Sequence, residues 1–186
     1  MGIKRKKFFL GYDLNNNQAN AKCDLMTENE ESENRFGMGT FVCVFNKDYT
    51  KIMLLYRNAE KRAKWGADWG NVGGVVEFGE TSVQGAIREV FEETGLRLKP
   101  ENLKLIAIRE TLNFMPHLQA IHIVYSTAIN ENTPIELNAH AKTLESESYK
   151  WFDVDNLPER MLDPKEDIIK WRNIAKSDYS IMLMQK

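Results

Sequence analysis

Apolar residues come in short runs separated by polar turns, and the period of the runs changes along the chain. Residues 40–45, Thr-Phe-Val-Cys-Val-Phe, are apolar at both odd and even positions. A strand of that kind is covered on both faces, which predicts a central strand. Residues 51–57 follow the turn Asn46-Lys47-Asp48 and predict a partner for it. Leu103 to Thr111 and Leu118 to Ala128 predict a second, longer pair, and Tyr149 to Val154 predicts a further short strand. Asn58 to Asn71 reads as a loop, and Val72 to Phe78 leads out of it into a helix.

That helix runs from about Ser82 to Thr94, where the period shifts to ~3.6. Val83, Ile87, Val90 and Thr94 gather on one side, with Ala86 and Phe91 flanking them, while Glu89, Glu92 and Glu93 gather on the other. Thr81 or Ser82 supplies the N-cap oxygen, and Gly95 suits the left-handed position after the last turn. Pro164 opens another helix, whose Ile168, Trp171 and Ala175 share a face. Strands mixed with a few helices predict a mixed sheet covered by helices, an α/β sandwich. There are no internal repeats.

At 186 residues the chain is expected to be one domain (37–186) with an N-terminal extension (1–36). The extension carries four basic residues, Lys4 to Lys7, then Asn15-Asn16-Asn17 and the acidic stretch Glu28 to Glu33, a composition suited to a segment without its own core. Net charge is −2, so the global basic excess of a nucleic-acid binder is missing, and nucleic acid is not expected as a partner. Cys23 and Cys43 have neither metal nor disulfide spacing; with Cys43 inside an apolar run, a cytoplasmic location is expected. No run approaches the ~18 apolar residues of a membrane span. The start, Met1 to Leu10, is basic like a signal peptide but has no apolar stretch of useful length, and Lys6 stands where myristoylation needs Ser or Thr. The apolar ending Ile181-Met182-Leu183-Met184 suits either a cap on the core or a homodimer interface.

Glu89, Glu92 and Glu93 stand at i, i+3 and i+4, directly after a glycine-rich turn. Like charges so placed cost about 0.2–0.5 kcal/mol per pair, and without interleaved cations the trio is locally unfavourable. A hard divalent cation reverses the sign of that cost, and Mg²⁺ combines few carboxylates with substrate phosphates. The plain alternative is a solvated helix face. In the preceding loop, Trp65 and Trp69 are candidates for stacking on a base, and Arg57 and Arg62 for gripping phosphates. Core or lid packing for the tryptophans and ordinary solvated charge for the arginines compete with those roles. His117, His122 and His140 have no ligand spacing, and His122 reads as a satisfied structural histidine in a strand.

Gly74, Glu80, Arg88, Glu89, Val90, Glu92, Glu93, Gly95 and Leu96 occupy every fixed position of a 23-residue pattern. In this the chain resembles the Nudix hydrolases, and the flanking pattern extends the similarity over roughly residues 39–157. The resemblance implies a Nudix-type α/β/α sandwich, with a curved mixed sheet and the box as loop–helix–loop. It implies that Glu89, Glu92 and Glu93 hold Mg²⁺ or Mn²⁺ with the carbonyl of Gly73, and that Arg88 pairs with Glu80 to fix the loop against the helix. Family members often add a carboxylate from outside the box, for which Glu145 is preferred and Glu147 comes second; which glutamate is the general base stays open. The implied activity is a divalent-metal-dependent pyrophosphohydrolase, cleaving a phosphoanhydride bond in a nucleoside diphosphate linked to a moiety X or in a nucleoside triphosphate. A non-catalytic nucleotide sensor or protein-interaction module is the alternative, and processing of nucleic-acid ends with help from Lys4 to Lys7 is a third. Many members have Pro before the paired glycines where this chain has Val72, so no subfamily is implied.

Overall fold

The computed structural model describes residues 34–178 except 139 and 142. Most of the expected extension, Cys23 and the apolar ending therefore lie outside the described residues. The elements in chain order are β1 (Arg35–Asn46), β2 (Lys51–Arg57), α1 (Ala59–Trp65), β3 (Trp69–Gly70), β4 (Val72–Val75), α2 (Ser82–Thr94), a 3-10 turn (Pro100–Asn102), β5 (Lys104–Met115), β6 (Leu118–Ile129), β7 (Ser146–Asp153) and α3 (Lys165–Lys176). No described helix is long and apolar enough to cross a membrane.

The described strands form one mixed sheet in the order β3-β2-β1-β6-β5, with β4 beside β1 and β7 beside β2. β1 runs parallel to β6 along its whole length, and every other pairing is antiparallel. The other edge of β1 is shared. Val44 and Phe45 pair with β2, whereas Gly39 to Val42 pair with β4. The sheet therefore splits along β1, and the chain crosses the split at Asn71: Gly70 still pairs with Leu55 of β2, while Val72 already pairs with Val42.

Residues 42–45 are fully buried, as their unbroken apolar run predicted, because alternate side chains enter two different cores. Val42, Val44, Met53 and Leu55 pack with Val90 of α2. Cys43, Phe45, Ile52 and Leu54 pack with Ile168, Trp171 and Ala175 of α3. Helices on both sides of the sheet make the α/β/α sandwich.

Two expectations are corrected. β1 begins at Arg35, five residues earlier than its apolar run, because the parallel ladder with β6 continues to Leu118. Asn58 to Asn71 is not a loop but holds α1 and β3. The Asn58 side chain accepts from the Lys61 N–H at 2.8 Å, Glu60 lies in the first turn and Arg62 and Lys64 in the last, and Gly66 closes the helix at φ 66°. Capping and dipole effects of this kind stabilise a helix with no buried residue.

Candidate active site

The helix that carries the three glutamates is fixed at both ends by local chemistry. Thr81 is its N-cap: the Thr81 hydroxyl accepts from Gln84 N–H at 3.2 Å, and the Gln84 side chain accepts from Thr81 N–H at 2.8 Å. Gly95 takes the left-handed conformation at φ 72°. Inside the first turn, Ser82 is hydrogen-bonded to Tyr125 of β6 at 2.7 Å, which sets the rotation of the helix against the sheet.

The Gly73-Gly74 pair of β4 is closely packed on two sides, Gly73 against β1 and Gly74 against this helix. Gly73 has φ 149°, and a methyl there would strike the Thr40 carbonyl and lie 2.8 Å from Phe41 Cα. Its N–H donates to Glu93 Oε2 at 3.0 Å. A methyl on Gly74 would lie 2.5 Å from Glu89 Oε1, the movable end of a side chain. Gly74→Ala is therefore expected to leave the melting temperature nearly unchanged while displacing Glu89, with divalent-metal affinity reduced about 10- to 100-fold in a Mn²⁺ titration.

Arg88 ties the loop to the helix. Its Nε and Nη2 donate to the two oxygens of Glu80 at 3.1 and 2.7 Å, and Nη2 also donates to the Val75 carbonyl at 2.9 Å. Nη1 donates to Glu89 at 2.8 Å and to Glu92 at 3.2 Å. The glutamate face thus does contain an interleaved cation, and Arg88 offsets much of the like-charge cost expected for the trio. Partial burial pushes the Glu80 carboxyl up, but Arg88 and the Glu77 N–H hold it below its ordinary value.

Glu93 differs from its neighbours. It is 4% exposed, and among the described residues no cation lies within ion-pairing distance of it. Burial raises its carboxyl to about 8, against the pull of Lys61 and the Gly73 N–H. Burial also raises Glu89, opposed by Arg88.

Glu145 comes to the same place from far along the chain. The Asn138 N–H donates to the Glu93 carbonyl at 3.0 Å, and the Asn138 side-chain oxygen accepts from the N–H groups of Glu145 and Ser146. The loop is thereby hung from the last turn of α2, and the Glu145 charge acts on both Glu89 and Glu93. Its carboxylate pairs with Lys61 of α1. Lys61 was absent from the sequence-based candidates, because only the fold of α1 turns it toward the acids.

A cavity of about 50 Å³ lies beside Glu93 and Gly73, lined also by Arg57, Lys61, Asn71 and Leu162. Arg57 Nη1 and Asn71 Oδ1 are buried there without a hydrogen-bond partner. The other candidates lie apart from it. Arg62 donates to the Arg57 carbonyl, pairs with Glu147 at 3.0 Å and covers the Tyr56 ring. Trp65 stacks on Phe114, with ring centroids 5.2 Å apart. Trp69 packs between Tyr56 and Phe152 at the edge of the α3-side core. His122 is buried against Phe41 and Phe114 with its Nδ1 unpartnered, so it is structural without being satisfied.

Among the described residues no three acidic side chains converge on one point. The donors do fit a hard cation: they are all oxygens, and Glu93 is a buried carboxyl with no ion-pair partner among the described residues.

Comparison with known proteins decides the family: a model described as NUDIX domain matches residues 35–172. The chain belongs to the Nudix family. An ADP-ribose pyrophosphatase of Methanocaldococcus jannaschii is 31% identical over 133 residues, 70% of this chain and 72% of that protein. A dihydroneopterin triphosphate diphosphatase of Escherichia coli is 30% identical over 118 residues, 60% of this chain and 75% of that protein. Among solved structures, a MutT NUDIX hydrolase from Burkholderia pseudomallei shares the fold with a TM-score of 0.59 at 21% identity, covering 74% of this chain and 98% of that one. This Nudix chain is a hydrolase of phosphoanhydride bonds in nucleotide-type small molecules and works with a divalent metal ion. In its Nudix box, α2 carries Arg88 and the three glutamates, β4 carries Gly74, and the loop between them carries Glu80.

Proposed function

We propose that this chain is a Mg²⁺- or Mn²⁺-dependent pyrophosphohydrolase in which Glu89, Glu92, Glu93 and the Gly73 carbonyl hold the metal. The observation that carries this reading is Glu93, a buried carboxyl oriented by the Gly73 N–H with no ion-pair partner among the described residues, a group that a bound divalent ion would hold ionised. A divalent ion held there would offset phosphate charge and lower the pKa of a bound water, so that hydroxide would be available to attack phosphorus. Glu80 and Arg88 orient the loop and the helix face around that position, and Arg88 releases Glu89 and Glu92 to the ion. Glu145 is the further carboxylate, as ligand or base, and Lys61 holds it within reach of Glu93. Arg57, with a buried N–H free beside Glu93, grips a phosphate of the substrate. Trp65 with Phe114 offers a base-stacking surface, whereas the packing of Arg62 and Trp69 supports structural roles for both.

The substrate is a nucleoside diphosphate linked to X or a nucleoside triphosphate. The two relatives named above are named for ADP-ribose, a nucleoside diphosphate linked to a sugar, and for a pterin triphosphate, which shares the triphosphate chain of the second class without its nucleoside. The test is release of phosphate, pyrophosphate or nucleoside monophosphate across nucleoside triphosphates, nucleotide sugars, ADP-ribose and dinucleoside polyphosphates. Turnover of one class is expected, abolished by EDTA and restored by excess Mg²⁺ or Mn²⁺. Turnover that survives EDTA would refute the metal assignment.

A further inference from the structure

We propose that Asn71, anchored by Asp163, is a positioning residue for the Gly73-Gly74 pair of β4; its effect on metal binding rests on the assignment of Gly73 and Glu93 above. Asn71 is where the chain leaves β2 for β1, so its backbone stands at the split of the sheet, two residues before Gly73. Its side chain is buried and makes one bond within the protein, Nδ2 donating to Asp163 Oδ2 at 2.9 Å. Asp163 is 3% exposed, and its other oxygen accepts from Arg109 of β5 at 2.7 Å.

The anchor is itself immobilised. Trp69 N–H donates to the Arg160 carbonyl at 3.0 Å and Leu162 N–H to the Trp69 carbonyl at 2.8 Å, so the segment leading to Asp163 is fastened to β3. The chain is therefore held just ahead of the crossing by backbone bonds and at the crossing by a side chain. Gly73 follows in β4, in register with Phe41 of β1 and with its N–H on Glu93. Releasing Asn71 frees the one residue between β3 and β4 to rotate, and the error passes along β4 to the Gly73 N–H and carbonyl.

The test compares Asn71→Ala, Asp163→Leu and Asp163→Asn with the parent chain. In metal-free protein the Gly73 amide is followed by NMR, Mn²⁺ affinity is measured by electron paramagnetic resonance, and kcat and KM are measured on the substrate found above. Asn71→Ala and Asp163→Leu are expected to speed exchange of the Gly73 amide and to lower Mn²⁺ affinity and kcat about 10- to 100-fold, with KM little changed. Asp163→Asn keeps an oxygen for Asn71 and is expected to hold the Gly73 amide near its parent behaviour. An unmoved Gly73 amide in both disruptive variants would overturn the proposal. So would a rise in KM at unchanged kcat, which would make Asn71 a substrate contact. The amide readout needs neither metal nor turnover, so failure of the metal assignment is distinguishable from failure of the positioning role.

Discussion

Glu93→Gln is expected to reduce turnover about 1,000-fold, about 4 kcal/mol of transition-state stabilisation, while making the metal-free protein more stable. The amide is close in shape to the carboxylate and keeps an oxygen for the Gly73 N–H, so geometry is retained while the ligand charge is lost. The gain in stability follows from burial. The folded-state carboxyl sits at about 8, whereas an unfolded chain ionises near the ordinary value of ~4.3. Between those values the folded state binds more protons than the unfolded one, so this group's contribution to stability falls as pH rises and levels off above about 8. Glutamine does not ionise and escapes the loss. In EDTA the variant should melt above the parent protein, by a margin that widens from pH 5 to pH 8; equal melting temperatures across that range would count against the buried charge. Glu92→Gln is expected to lose turnover on a similar scale without the gain, because Glu92 is more open to solvent and already paired with Arg88.

Gly73→Ala should be the most damaging small substitution in the described fold. The methyl meets backbone atoms, the Thr40 carbonyl and Phe41 Cα of the central strand, and neither can swing away. The residue also sits at φ 149°, a conformation that side chains rarely adopt. Loss of more than about 4 kcal/mol in urea unfolding is expected, in the range reached when a substitution breaks a core or a strained backbone site. Gly79→Ala is the control. Its φ is also positive, 91°, but nothing lies within 4 Å of the added carbon. It should lose only the strain, about 1–3 kcal/mol. Equal losses at the two positions would mean that dihedral strain, and not the approach of β4 to β1, makes glycine necessary at Gly73.

What the sequence revealed was local, and what it hid was long-range. α2 could be bounded closely, with only Thr81 or Ser82 left open as N-cap, because Thr81 and Gly95 act within one turn of the helix they terminate. Residues 42–45 could be placed in the middle of the sheet because burial on both faces leaves an unbroken apolar run. α1 escaped for the opposite reason: it buries nothing, so no period marks it, and only Asn58 and Gly66 at its ends gave a usable signal. Lys61, Asn138 and Asp163 were invisible as site residues, since each depends on a partner brought from another part of the chain. Asn71 and Asp163, for instance, are 92 positions apart. Trp69 shows a further limit. An aromatic residue in a basic stretch looks the same whether it waits for a ligand or fills a core, and here Tyr56 and Phe152 enclose it.

The parallel alignment of β1 with β6 has a consequence for how the molecule is made. Arg35 meets Leu118 and Asn46 meets Ile129, so each contact closes a loop of roughly eighty residues, a slow step in any search among chain conformations. During synthesis β1 emerges first, and its most apolar stretch must wait for β6 while β2, β4 and the glutamate helix appear in between. Before that closure Tyr125 of β6 is not in place beside Ser82, so the glutamate helix is not fixed against the sheet and the proposed metal and nucleotide sites are unfinished. Ligands can therefore select the completed sheet but cannot guide its early assembly. The interval before residue 129 is translated is when this chain most needs protection from aggregation.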